Sequence, residues 1–117
     1  LSPCALGGDL TGSIVPEINS KIICGAANNQ LTNIEVADHL FKRGIVYLPD
    51  YLVNGGGLVE VAYEYAKINL NVLESKLVEI GTKVSEIIDL SVQDNKSPLS
   101  ICNIRAENMI HSETCGV

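Results

Sequence analysis

Aromatic side chains are scarce in these 117 residues: tryptophan is absent, and Phe41 with four tyrosines makes up only 4%. Hydrophobic residues nevertheless reach 46%, with a mean hydropathy of +0.22. The core is therefore expected to be aliphatic. A chain of this length buries roughly two-thirds of its unfolded surface, so apolar area is expected to be left over. Basic residues are few as well: Lys and Arg number 8 against 14 Asp and Glu, for a net charge of −6 and a pI near 4.7. No basic cluster exceeds the pair Lys42–Arg43. A nucleic acid backbone would meet repulsion here rather than counterion release.

Other absences narrow the chemistry. No stretch approaches the ~20 apolar residues that span a bilayer, and the first residues lack the basic and apolar regions of a secretion signal, so a cytoplasmic location is expected. Cys4, Cys24, Cys102 and Cys115 show no C-x-x-C or C-x-x-H spacing, and the expectation is free thiols, with neither a zinc site nor a disulfide framework. His39 and His111 have no Cys, Asp or Glu pair at ligand spacing, which predicts solvated roles and no metal. Both the G-x-G-x-x-G dinucleotide fingerprint and the G-x-x-x-x-G-K-[ST] phosphate loop are missing. The opening Leu1–Ser2–Pro3–Cys4 carries no initiator methionine and reads as the end of a strand, so a truncated chain is expected.

What is present alternates. Ile22–Ile23–Cys24 and Ile45–Val46–Tyr47–Leu48 are short apolar runs that read as buried parallel strands. Between them, Ile34 to Arg43 places Ile34, Ala37, Leu40 and Phe41 on one helical face, with Gly44 as the stop. Pro16 to Lys21 predicts a short helix or turn. The fold class is thus α/β, a partial doubly wound parallel sheet over 1–70 followed by C-terminal helices over 71–117. Leu58, Val61, Ala62 and Tyr65 predict one helix directly behind the glycine run. Leu73, Leu77, Ile80, Val84 and Ile87 give a second, from about Asn71 to Asp89, one stripe of which is continuously apolar. After a turn at Asp94–Pro98, Leu99 to His111 predicts the last helix.

Three polar, glycine-bearing segments fall at the carboxyl ends of the expected strands, where open parallel sheets bind ligands. Pro3–Cys4–Ala5–Leu6–Gly7–Gly8 offers small side chains and exposed backbone to a flat ligand. Gly25–Ala26–Ala27–Asn28–Asn29–Gln30 sets two amides beside small residues, and amides both donate and accept, as a neutral carboxamide does. Asn54–Gly55–Gly56–Gly57, ahead of a helix, suits a carboxylate or a phosphate. Asp50 at the third strand's mouth and Lys21 ahead of the second stand nearby; Asp50 reads as a loop or cap residue, since no second carboxylate or His accompanies it.

Taken in this order, the three segments resemble the cofactor-binding domain of the leucine/valine/phenylalanine branch of amino acid dehydrogenases, over about residues 3 to 66. The resemblance implies the second half of a Rossmann-type domain that binds NAD, in a protein that oxidatively deaminates an L-amino acid to a 2-oxo acid and ammonia. It implies that Cys4, Ala5 and Leu6 lie along the cofactor riboses. Asn28 and Asn29 would hold the nicotinamide ribose or carboxamide and orient the substrate, and Asn54 would stand at the nicotinamide side. Leu58 and Val61 fall at substrate-selecting positions. Both are apolar, which argues for an aliphatic or aromatic substrate, and the size of Leu58 favours valine or another small branched one. Glu60 and the third glycine of Gly55–Gly57 depart from the family pattern.

The family's catalytic lysines and aspartate belong to an N-terminal domain, so no catalytic residue is expected in this segment, and alone it should be inert. A homo-oligomer is implied for the parent protein. The alternative reading is a non-enzymatic remnant, an interaction module that dimerises through the stripe Leu73, Leu77, Ile80, Val84 and Ile87.

Overall fold

The computed structural model describes residues 1–67 and 70–114. Its centre is a two-stranded parallel sheet, β1 (Ile22–Ile23) and β2 (Val46–Tyr47), with Ile22 opposite Val46 and Ile23 opposite Tyr47. The ladder extends one residue each way, Val46 N–H donating to the Lys21 carbonyl and Leu48 N–H to that of Ile23. On the other edge of β1, Leu1 N donates to the Ile22 carbonyl at 3.0 Å and Cys24 N–H to that of Leu1 at 3.1 Å. This is the slanted pattern of parallel pairing. The opening residues thus run beside β1 as an extended segment, and a further parallel bridge joins Leu10 to Leu31.

Helix α1 (Glu35–Lys42) connects the strands. Asn33 Oδ1 accepts from Val36 N–H at 3.2 Å and satisfies one donor of the first turn. At the other end Gly44, with φ +72°, takes the left-handed conformation; its N–H reaches the Phe41 carbonyl at 2.8 Å and Ile45 N–H the Leu40 carbonyl at 3.0 Å. That is a Schellman termination, and Leu40 and Ile45 also share the core, as such ends favour. The buried face of α1 is Val36, Ala37 and Leu40. Ile34, expected on that face, is 57% exposed because it precedes the first helical residue, while Phe41 is half-buried. The expected short helix at Pro16 is a 3-10 turn, Val15–Glu17, tied down by the Arg43 guanidinium, which donates to the Val15 and Ile18 carbonyls.

The main core is aliphatic, as composition requires: Leu10, Val15, Ile18, Ile23, Val36, Ala37, Leu40, Ile45 and Leu99, with Tyr47 the one aromatic member. Beyond β2 the chain is helical: α2 (Asp50–Val53), α3 (Gly56–Ala66), α4 (Leu70–Asp94) and α5 (Pro98–Thr114). The glycine run does not precede α3 as expected. Gly56 and Gly57 form its first turn, since α2 already occupies the start of the segment. The boundary expected at residue 70 falls beside 68–69, which lie outside the described residues, as does Cys115. Ser97 is buried at the start of α5; its hydroxyl donates to Asp38 Oδ1 at 2.9 Å and ties α5 to α1.

The apolar stripe of α4 is used within the chain. Ile87 is buried with Ile101 and Cys102 in a second core, with Leu52 and Leu90 packed against it, while Leu73, Ile80 and Val84 are half-buried. The helix also packs on α3, where a Cβ on Gly56 would stand 3.3 Å from the Leu77 side chain. Much apolar surface is still left over. The accessible area is 7910 Å² against roughly 6,200 Å² for a self-contained domain of this mass. Likewise the radius of gyration is 15.8 Å, against about 13 Å for a compact domain of this length. Val61, Tyr65, Val72, Val78, Met109 and Ile110 all stand exposed. No described helix is long and apolar enough to cross a membrane.

Three substitutions rank the contributions to this core. Leu40→Ala is expected to cost about 2–5 kcal/mol of unfolding free energy and Gly44→Ala about 1–2 kcal/mol through its left-handed backbone. Ile34→Ala should stay within about 0.5 kcal/mol. Urea titration checks the order, and an Ile34 effect as large as that of Leu40 would refute it.

Candidate functional site

The three loops predicted at the strand ends meet, the first two of them through backbone. Ala27 N–H donates to the Pro3 carbonyl at 3.0 Å, Gly8 N–H to that of Asn29 at 2.8 Å, and Leu10 N–H to that of Gln30 at 3.0 Å. Approach this close leaves no room for side chains at two positions. A Cβ on Gly7 would collide with the Asn28 and Asn29 carbonyls, and one on Gly25 with the backbone and ring of Pro3. Residues 3–8 and 25–30 are thereby one layer.

The segment after β2 joins this layer through side chains. Asp50, the first residue of α2, accepts from Asn29 N–H at 2.5 Å through Oδ2. Asn29 holds a left-handed φ of +51°, a conformation that asparagine tolerates better than most residues. Four residues on, Asn54 Nδ2 donates to Asn28 Oδ1, also at 2.5 Å. This bond uses the NH2 of Asn54 and the carbonyl oxygen of Asn28, so the NH2 of Asn28 and the carbonyl oxygen of Asn54 are the groups it leaves unengaged. Such a pair matches the acceptor and donor of a primary carboxamide.

Gln30 supports the layer from behind. It is 1% exposed, and its Nε2 donates to the Gly25 carbonyl at 2.9 Å and the Ala27 carbonyl at 2.8 Å, holding the turn that carries Asn28. Its Oε1 is buried with no protein partner, a cost that the two donated bonds offset. Neither this role nor the clamp from Asp50 to Asn29 is visible in the sequence, where Gln30 only closes the polar stretch Asn28–Asn29–Gln30.

The remaining predicted residues divide. Cys4, Ala5 and Leu6 are exposed on the first loop, Leu6 by 84%. The Ala26 N–H first, then the Ser2 hydroxyl at 3.3 Å, hold the Cys4 thiol below its ordinary pKa. Cys4, Cys24 and Cys102 are all unbridged. Val61 lies on α3 and is 62% exposed. Leu58 belongs to the start of the same helix; its side chain lies outside the described residues. The N-cap of α3 is Gly55, which makes no side-chain cap bond. Under the loops, burial first and the Asp50 carboxylate second push the Tyr47 phenol up to about 12, against a smaller opposing effect of the Asp50 backbone.

A sequence model of the glutamate/leucine/phenylalanine/valine dehydrogenases matches residues 1–112. The chain belongs to this family. The match reaches past the 3–66 on which the resemblance rested and takes in α4 and most of α5. Among relatives, valine dehydrogenase of Streptomyces albus is 39% identical over 106 residues, 91% of this chain and 29% of that protein. Leucine dehydrogenase of Bacillus cereus is 33% identical over 111 residues, 95% of this chain and 30% of that protein. Among solved structures, L-tryptophan dehydrogenase from Nostoc punctiforme superposes with a TM-score of 0.86 at 32% identity, covering 98% of this chain and 35% of that one. The chain thus spans about a third of the length of the dehydrogenases it matches.

Two measurements test the loop layer. Gly25→Ala should destabilise the protein by about 2–4 kcal/mol, since the neighbouring atoms are backbone and cannot give way, whereas Gly12→Ala, with open space around it, should not. Tyr47, with a pKa raised in the fold above the ordinary 10, stabilises the protein fully below pH 10 and loses that contribution as the pH rises towards 12. A fall of about 1–2 kcal/mol across that window is expected, and Tyr47→Phe should reduce it, leaving the part due to Tyr51, whose phenol burial also pushes up to about 12. An unchanged slope in that variant would remove Tyr47 as its source.

Proposed function

We propose that this chain supplies the nicotinamide end of an NAD site, and one wall of the substrate pocket, in an amino acid dehydrogenase acting on a branched-chain substrate of the valine or leucine type. On this reading residues 1–70 are the second half of a Rossmann-type domain, and 71–117 are helices that pack on it and towards the interdomain hinge. The observation that carries the proposal is the Asn54–Asn28 hydrogen bond, which joins two side-chain amides where three loops meet beyond the carboxyl ends of the strands and leaves one NH2 and one carbonyl oxygen unengaged by it. NAD supplies the hydride acceptor when bound.

What the chain's residues do follows from the layer. Asn28 would donate to the carboxamide oxygen and Asn54 accept from its NH2, fixing which face of the ring meets the substrate. Cys4, Ala5 and Leu6 are exposed beside Gly7, where no side chain fits against residues 28 and 29, and would lie along the riboses. Asn29, held by Asp50, would help orient the substrate. The donor set fits the nicotinamide half of the cofactor only, since no pyrophosphate fingerprint is present. Binding of the other half, the catalytic lysines and aspartate, and homo-oligomerisation belong in this reading to the rest of a longer protein, without which the segment is inactive. The leftover apolar surface and the long radius of gyration support that incompleteness.

Val61 argues against a carboxylate-bearing side chain in the substrate, and the bulk of Leu58 favours valine. The valine dehydrogenase of Streptomyces albus also shares more residues with the chain than the leucine dehydrogenase of Bacillus cereus does. The alternative, an interaction module pairing through the α4 stripe, loses support because Ile87 of that stripe is buried within the chain and α4 packs on α2, α3 and α5.

In the longest native polypeptide that carries this segment, amino acid-dependent formation of NADH is expected, with kcat/KM highest for valine or leucine. Asn28→Ala is expected to lower kcat/KM by about 10- to 100-fold, the scale of one or two lost transition-state hydrogen bonds. A preference for phenylalanine or glutamate would overturn the substrate assignment, and an inert polypeptide that binds no NADH would overturn the cofactor assignment.

A further inference from the structure

Asp50 is the only side chain described here that reaches across from the β2 end to the backbone of the 25–30 loop, and it does so at Asn29, which stands in a left-handed conformation. Asn28 and Asn29 share a peptide unit. Whatever fixes the Asn29 N–H fixes the plane of that unit, and with it the direction from which the Asn28 side chain leaves the backbone. The Asn28–Asn54 hydrogen bond then closes a ring of contacts: Asp50 to Asn29, Asn29 to Asn28, Asn28 to Asn54, and Asn54 N–H back to the Asp50 carbonyl at 2.9 Å. Gln30 braces the same turn from its buried side, leaving the Asp50 carboxylate as the brace on the open side.

We propose that Asp50 is a positioning residue for nicotinamide recognition: through the Asn29 N–H it sets the orientation of the Asn28–Asn54 amide pair without touching the cofactor itself. The assignment rests on the cofactor reading above and deepens it. Asp50 does more than a loop or cap residue would. Helix α2 is four residues long and its N-cap makes no side-chain bond, whereas the Asp50 carboxylate bonds a neighbouring loop. A hydrogen bond to a charged acceptor is stronger than one to a neutral acceptor, and here it is made by the N–H of a residue in the left-handed conformation.

The test compares Asp50→Ala, Asp50→Asn and Asp50→Glu with Ser97→Ala, which cuts a hydrogen bond to Asp38 remote from the loops. NADH affinity is read by quenching or transfer fluorescence, and the backbone of 26–30 by hydrogen exchange without cofactor. Asp50→Ala should speed exchange over 26–30 and weaken NADH binding about tenfold or more, the equivalent of about 1.4 kcal/mol. Asp50→Asn keeps an acceptor at the same reach and should restore most of both. Ser97→Ala should lower Tm while leaving both unchanged. If Asp50→Ala does not fold, Asp50→Glu decides, its carboxylate displaced by one methylene: faster loop exchange with weaker NADH binding supports the role. Faster exchange with unaltered NADH affinity in either variant overturns it, as does an equal loss in Ser97→Ala. An unsubstituted protein that binds no NADH overturns the cofactor reading, and this assignment with it.

Discussion

Everything at the loop end of this protein depends on two places where a Cβ cannot exist. At Gly7 and Gly25 the first and second loops touch backbone to backbone, and the hydrogen bonds linking Pro3 to Ala27 and Gly8 to Asn29 form only because nothing intervenes. Main-chain contact of this kind fixes position more tightly than side chains do, because peptide planes have fewer ways to adapt than rotamers. The asparagines stand on that platform. Their placement follows from glycine geometry first and from their own bonds second.

The packing beneath is adapted to the same end. An aliphatic core centred on Ile23, Leu40 and Ile45 brings β1 and β2 together, and the termination of α1 at Gly44 turns the chain directly into β2, so that Asp50 emerges beside Asn29. Helices α4 and α5 then cover β2 and α2 from one side, with Ser97 holding α5 to α1. Val61 and Tyr65 on α3 and Val72 and Val78 on α4 are left exposed. This agrees with a segment spanning a third of the proteins it resembles.

How much of this could be read from residues alone depended on whether a signal was local. Both strands, α1 and its glycine stop, the long apolar stripe of α4 and the last helix follow from periodicity and turn chemistry, which act over a few residues. The strand ends carried the loops, and the loops carried Asn28 and Asn54, so the pairing of those amides was implicit in their order. Burial was less legible. Ile34 has the right spacing and lies outside the helix, and Val61 has the right spacing and is exposed, because which side of a helix is covered is decided by partners distant in sequence. Gln30 and Asp50 were beyond reach for the same reason. Their bonds go to backbone atoms of other segments, and a backbone atom leaves no mark in a side-chain pattern.

Strands only two residues long bring one more consequence. A ladder of that size has few bonds with which to distinguish its correct alignment from a slip by one residue, and a slip would turn every side chain to the opposite face. The bonds from Asp50 to Asn29 and from Asn54 to Asn28 lie just past the ladder's end and exist in a single alignment. They act as a key for strand register, so the groups that would grip a ligand also proofread the sheet that presents them.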